Sequence, residues 1–152
     1  MLFFALPAIL VLSAGLAVSV WDLARRQGSL DILSVQSIVG LALIVIGFPI
    51  VLVAHITLRG FYSSTLVIRK DHQLITHGIY HFTRHPIYLG TIMVFIGLQV
   101  FVSSLYGLLT MSALIPVFLN RIRIEERMLT DEFGDAYRTY KETTSKLIPF
   151  IY

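Results

Sequence analysis

Residues 87–119 read IYLGTIMVFIGLQVFVSSLYGLLTMSALIPVFL, thirty-three positions without one charged side chain. A bilayer span takes about 20 apolar residues, so this run is too long for one ordinary span and slightly short for two complete ones. Ser103, Ser104 and Gly107 lie near its middle, and small polar residues and glycine are what a chain reversal uses. The run therefore reads as a tight helical hairpin. Pro116 is placed to kink the returning helix near its polar end.

Two more stretches share this character. Met1 to Val20 carries no charge and is long enough to span, with Trp21 following at the depth where interfacial aromatics settle. No basic residue precedes its apolar segment, which argues against a cleaved signal peptide. Ile32 to Ile56 is long enough to span with some tilt. Gly40 and Gly47 would let a neighbouring helix approach closely, and Pro49 is a candidate kink. Over all 152 residues the chain is 56% hydrophobic and 14% charged, with a mean hydropathy of +0.79. Soluble domains sit nearer 45–50% and about 25%. The expected fold is all-α: a polytopic integral membrane protein with four transmembrane helices, the last two a tight hairpin, plus a cytoplasmic amphipathic C-terminal helix. It reads as one domain over residues 1–152, with two spans in 1–56 and a loop, hairpin and amphipathic helix in 57–152.

That last helix is expected from Asn120 to Tyr140, where Ile122, Leu129, Phe133 and Tyr140 recur between charges, the rhythm of a helix lying along a membrane surface. Gly134 would end or bend it. Four spans leave only Arg25 and Arg26 on one side. The other side holds Arg59, Arg69, Lys70, Arg84, Arg121, Arg123, Arg127, Arg138, Lys141 and Lys146. This bias places both termini in the cytoplasm, and the net charge of +3 reflects orientation rather than nucleic-acid binding. The absence of cysteine excludes disulfides, thiolate metal sites and a cysteine nucleophile.

Two polar clusters flank the hairpin and face the same side. The first is His77-Gly-Ile-Tyr-His-Phe-Thr-Arg-His-Pro-Ile-Tyr-Leu-Gly90. Ionisable and aromatic side chains at a bilayer surface are costly to keep dry and usually serve a polar ligand; the plain alternative is a solvated connector touching lipid headgroups. Ahead of it, Lys70 to Gln73 suggests a turn and Leu74 to Thr76 a short extended piece. His77, His81 and His85 have a spacing that would put them on one helix face as metal ligands, but Gly78 and Pro86 argue against an uninterrupted helix there, and no metal is expected. The second cluster is Arg121-Ile-Arg-Ile-Glu-Glu126. Arg121 and Glu125, four apart, would pair on a helix face for about 0.3–0.5 kcal/mol without any function. Alternatively, Arg121 would hold a substrate carboxylate through two parallel hydrogen bonds, and Glu125 would accept from a ligand ammonium.

The pattern His72-x-Leu74-x-Thr76-x-Gly78-x-Tyr80, followed by Arg84-His85-Pro86-x-Tyr88-x-Gly90, resembles the isoprenylcysteine carboxyl methyltransferases. So does Arg121-Ile122-x-x-Glu125-Glu126-x-x-Leu129-x-x-x-Phe133-Gly134-x-x-Tyr137-x-x-Tyr140, closed by Ile148-Pro149. The Arg-His-Pro piece is shared with phospholipid N-methyltransferases and, more loosely, with membrane sterol reductases; the second run is the more discriminating. The resemblance implies S-adenosyl-L-methionine as cofactor, lined by His72, Gln73, Leu74, Ile75, Tyr80, His85, Pro86, Ile87 and Tyr88, with Glu125 at its ammonium group. It implies Arg121 at the carboxylate of a lipophilic acceptor, a prenylated cysteine or small lipid entering sideways from the bilayer. Ile79 departs from the proline or valine frequent in the family.

Methyl transfer to a carboxylate is a direct displacement. Carboxyl groups ionise near pH 4, so no general base is required, and catalysis rests on alignment and exclusion of water. An amine acceptor would need a base, and Glu126 or a histidine would then be the candidate. The competing readings are a phospholipid amine N-methyltransferase, an NADPH-dependent reductase of a lipid double bond, and a non-enzymatic scaffold or transport subunit. A transporter would more often carry ionisable groups near the bilayer midplane.

Overall fold

The structure, a computed structural model, describes residues 2–26, 30–58 and 74–149, with side chains from Leu6 onward. It is helical throughout these residues: α1 (Leu2–Arg25), α2 (Val35–Leu58), α3 (Pro86–Phe101), α4 (Leu105–Ser112), α5 (Leu114–Phe133) and α6 (Asp135–Thr143), with a 3-10 turn at Gly78–His81 ahead of α3. Pairing of the β type among the described residues is confined to a parallel bridge between Thr83 and Ser145. The chain is an integral membrane protein. Its apolar side chains on α1 and α2 point outward, among them Leu10 (65% exposed), Val45 (60%) and Phe48 (61%), an arrangement whose natural solvent is lipid.

Where four spans were expected, three segments among the described residues are long and apolar enough to cross a membrane: Leu6–Arg25, Val35–Leu58 and the α4–α5 stretch Leu105–Phe133. The fourth apolar helix, α3, has 16 residues. At 1.5 Å per residue it reaches about 24 Å, short of a hydrocarbon core of about 30 Å. The shortfall was visible in the length of the 87–119 run. The hairpin turn falls where expected: Ser103 adopts a positive φ of 53°, and the Ser104 side chain caps α4 by accepting from the Gly107 amide at 3.1 Å. Arg26 donates to the Ser103 carbonyl from the end of α1.

The two prolines behave differently from one another. α2 continues through Pro49 as one helix. The break in the returning arm lies at Ala113, between α4 and α5, and Pro116 sits in the first turn of α5. Pro116 has no amide to donate to the Ser112 carbonyl, and its ring crowds that group, so the break one turn earlier is the kink that its position predicts. The expected single amphipathic helix over 120–140 is also divided. α5 runs unbroken from its apolar start to Phe133, and Gly134, with φ 54°, separates it from α6. Gly134 ends the helix as its sequence position suggested.

α2 and α3 are antiparallel and meet through two reciprocal glycine pairs. A Cβ on Gly40 would lie 2.6 Å from the Gly97 carbonyl oxygen, and one on Gly97 would lie 2.8 Å from that of Gly40. Gly47 and Gly90 repeat the arrangement at 2.8 and 2.6 Å. Backbone contact of this kind supplies helix association in lipid, where there is no hydrophobic drive. Ser37, buried at the end of α2, donates to the Phe101 carbonyl at 2.9 Å. On the other side, Met111, Leu114 and Phe118 form a small core with Val11 and Leu12 of α1 and Tyr88, Ile92 and Phe95 of α3. Gly40→Val is expected to lower stability by about 1–3 kcal/mol through overpacking, read as a fall in the thermal melting point in detergent. An unchanged melting point would refute close α2–α3 contact.

Candidate active site

The start of α3 and the middle of α5 face one another and hold two polar clusters. In the first, the Tyr88 hydroxyl stands between the two charged groups of α5: Arg121 Nε donates to it at 2.7 Å, and it donates to Glu125 Oε2 at 2.9 Å. Arg121 and Glu125 share a helix face because they are four apart, yet both meet through a tyrosine from another helix. The Tyr88 ring packs at 5.8 Å from the His85 ring and 5.4 Å from that of Phe118, which fixes where its hydroxyl points. A cation and an anion therefore sit on either side of one hydroxyl at the polar edge of the small apolar core.

The second cluster surrounds Glu126, whose side chain is 8% exposed. Arg84 Nε donates to Glu126 Oε1 at 3.0 Å. His85 Nε2 lies 3.5 Å from the same oxygen, and Lys146 Nζ lies 3.8 Å from Oε2. Arg84 reaches further: its Nη1 donates to the Lys141 carbonyl at 3.0 Å and to the Thr144 carbonyl. A guanidinium that meets a carboxylate and two carbonyls is a planar, multidentate tie that lysine cannot reproduce.

The chain beyond α6 is fastened to the approach to α3. The Arg84 amide donates to the Ser145 carbonyl at 2.9 Å, Thr83 Oγ1 donates to the Leu147 carbonyl at 2.9 Å, and the Tyr140 hydroxyl donates to the Tyr80 carbonyl at 2.5 Å. Gly78, at φ 63°, supplies the left-handed residue that opens this turn. Pro86 sits in the first turn of α3 with His85 as its cap residue. Burial pushes the phenols of Tyr137 and Tyr140 up from their ordinary range; the Tyr140 hydroxyl is the donor to the tail-facing turn, and that of Tyr137 has no hydrogen-bond partner among the described residues.

Of the residues singled out from sequence, Tyr88, Arg121 and Glu125 form the first cluster, and His85 and Glu126 belong to the second. Tyr80 and Pro86 are buried between them and the tail. Leu74, Ile75 and Ile87 are half-buried. His72 and Gln73, with the turn expected at Lys70–Gln73, lie outside the described residues. His77 precedes the 3-10 turn, His81 ends it and His85 caps α3, so the three histidines do not share a helix face. Sequence reasoning passed over Thr83, Arg84, Tyr140 and Lys146 as site-building residues. The available signals were that Arg84 opens the Arg-His-Pro piece, with Thr83 just before it, and that Tyr140 closes the second motif run.

Residues 35–136, which contain both clusters except Lys146, match the family model described as phospholipid methyltransferase. The chain belongs to the phospholipid methyltransferase family. Relatives in this family include a protein-S-isoprenylcysteine O-methyltransferase of Schizosaccharomyces pombe, 37% identical over 54% of this chain and 35% of its own length. Protein-S-isoprenylcysteine O-methyltransferase A of Arabidopsis thaliana is 31% identical over 74% of this chain and 58% of its own. Methanethiol S-methyltransferase 1 of Bradyrhizobium diazoefficiens is 44% identical over 47% of this chain and 25% of its own. A solved structure of the eukaryotic intramembrane Ras methyltransferase, an isoprenylcysteine carboxyl methyltransferase, superposes with a TM-score of 0.80 and 27% identity over 94% of this chain and 52% of that one. The chain thus spans only part of the length of these relatives. The resemblance read from its two motifs is borne out, and so is the expectation of a helical membrane fold.

Proposed function

We propose that this chain transfers a methyl group from S-adenosyl-L-methionine to the carboxylate of a lipophilic acceptor, an isoprenylcysteine or an analogous small lipid. The observation that carries the reading is the Tyr88 hydroxyl joining Arg121 and Glu125. Side by side, these two groups offer an anion for the cofactor ammonium and a cation for the acceptor carboxylate. The donor set suits such a cofactor: a carboxylate for its ammonium and the adjoining rings of His85 and Tyr88, with half-buried Leu74 and Ile75 assigned to its apolar surface. When bound, the cofactor supplies an electrophilic methyl on a sulfonium. Glu125 anchors the ammonium, Arg121 orients the acceptor oxygen, and the apolar walls of α3 and α5 exclude water.

Glu126 takes a different role from the base considered for an amine acceptor. Enclosed by Arg84, His85 and Lys146, it is a positioning residue that holds the His85 ring and, through Arg84, the tail. Direct displacement by an ionised carboxylate needs no base, which suits a site whose best-placed candidate is already paired. The acceptor reaches the site sideways from the bilayer, and the site faces the cytoplasm along with both ends of the chain, on the side to which ten of the twelve basic residues are assigned.

Calorimetric titration of the detergent-solubilised protein with S-adenosylhomocysteine, and with NADPH in parallel, tests the cofactor assignment. Saturable binding of S-adenosylhomocysteine alone is expected; binding of NADPH alone would replace this reading by a reductase. Glu125→Ala is expected to raise the S-adenosylhomocysteine dissociation constant about 10- to 100-fold, the value of a hydrogen bond to a charged group. An unchanged constant in that variant would remove Glu125 from the cofactor site.

A further inference from the structure

A second site lies on the opposite flank of α5 from Tyr88. Between α5 and α6 opens a cleft of about 480 Å³ lined by Arg123, Glu126, Arg127, Thr130, Asp131 and Lys141, within the roughly 300–1,000 Å³ common for small-ligand pockets. Arg123 and Arg127 are one helical turn apart and exposed, and neither forms an ion pair or hydrogen bond among the described residues. Lys141 faces them from α6, its ammonium 6.0 Å from the Tyr137 ring centroid. The cleft has two carboxylates. Glu126, at its floor, is already met by Arg84 and Lys146, which leaves Asp131 against three cations at the opening.

We propose that this cleft binds the phosphate of an anionic phospholipid headgroup, with Arg123 and Arg127 as its two guanidinium donors and Lys141 closing it. Planar guanidinium forks suit phosphate oxygens. Depth selects a lipid over a free anion. Arg123 lies four residues beyond Leu119, the last residue of the uncharged run, about 6 Å along the helix. The headgroup layer is about 5–8 Å thick on each side of the hydrocarbon core. Arg123 therefore stands in that layer, and Arg127, about 12 Å along the helix, lies just outside it, from where its long side chain reaches back. The inference is independent of the methyl-transfer reading, because neither arginine belongs to the cluster around Tyr88.

The test is calorimetric titration of the whole protein, in a neutral detergent, with short-chain phosphatidylglycerol, short-chain phosphatidylcholine and inorganic phosphate. Phosphatidylglycerol is expected to bind saturably, at least tenfold more tightly than either of the others. The R123Q/R127Q double variant is expected to lose at least tenfold of that affinity while keeping its melting temperature and its S-adenosylhomocysteine affinity. R127Q alone, altered only on the exposed outer turn, should lose part of it and guards against a folding defect in the double variant. Phosphatidylglycerol affinity unchanged in both variants, or absent in the wild type, would overturn the site. Inorganic phosphate binding as tightly as the lipid would overturn the lipid assignment, and equal binding of phosphatidylcholine would overturn the requirement for an anionic headgroup. Loss of S-adenosylhomocysteine binding in the wild type, with phosphatidylglycerol binding intact, would sink the proposed function and leave this site standing.

Discussion

Arg84→Ala is expected to release the segment after α6 and to reduce methyl transfer to background. The substitution strands the buried Glu126 carboxylate and removes the donor from the Lys141 and Thr144 carbonyls in one step. Truncating one partner of a buried pair costs about 3–5 kcal/mol, mainly because the other charge stays buried, and whole domains are stable by only about 5–15 kcal/mol. The effect should be local first: faster amide hydrogen exchange over residues 140–147, then weaker S-adenosylhomocysteine binding as His85 loses its support. Arg84→Lys should recover charge but not the fork, and fall between. A double variant, Arg84→Met with Glu126→Gln, should melt higher than Arg84→Ala because no charge is stranded. Wild-type exchange protection across 140–147 in Arg84→Ala would contradict the role given to this residue.

Arg121→Ala should lower kcat/KM for a carboxylate acceptor by about two to three decades. Two charge-assisted hydrogen bonds at about 1.5–3 kcal/mol each put at least about 3–4 kcal/mol at risk, all of it counted in kcat/KM because that ratio is measured from free enzyme and substrate, and each 1.36 kcal/mol is tenfold in rate. The loss should fall on acceptor turnover more than on cofactor affinity, which Glu125 supports separately. Arg121→Ala also leaves the Tyr88 hydroxyl without one partner, so Tyr88→Phe serves as the control: it removes the bridge and keeps the guanidinium. A neutral thiol acceptor, as the name of the Bradyrhizobium relative implies for that protein, has no carboxylate to lose. Turnover of a thiol within a few-fold of wild type in Arg121→Ala, alongside collapse for a carboxylate, would assign the arginine to acceptor choice. Equal losses for both acceptors would place it in the general architecture instead.

Much of the fold was legible because lipid imposes a simple rule: uncharged runs become helices, and length decides how often they cross. The Ser103-Ser104 turn and the end of the helix at Gly134 followed from local chemistry. Gly40 and Gly47 were legible as close-approach positions, but their partners Gly90 and Gly97 were not, since pairing is a property of two helices. The kink read from Pro116 appears as the break at Ala113, three residues earlier, because a proline disrupts the turn before it. The same limit applies to the site. The four-residue spacing of Arg121 and Glu125 showed that they share a face, but gave no hint of the tyrosine between them. Arg84, read as a motif residue and a basic residue for orientation but given no role in the site, proved to be the most connected side chain of the second cluster. Its partners come 42 to 60 positions later, and no local pattern records contacts of that span.

The fastening of Thr83 and Arg84 to Ser145 and Leu147 has a consequence for biosynthesis. The membrane helices can enter the bilayer and pack in the order in which they are made, with the glycine pairs of α2 and α3 engaging early. The turn before α3, by contrast, waits for a segment some sixty residues downstream. During translation the chain is inserted but incomplete, and the pocket acquires its final shape only after Leu147 has left the ribosome.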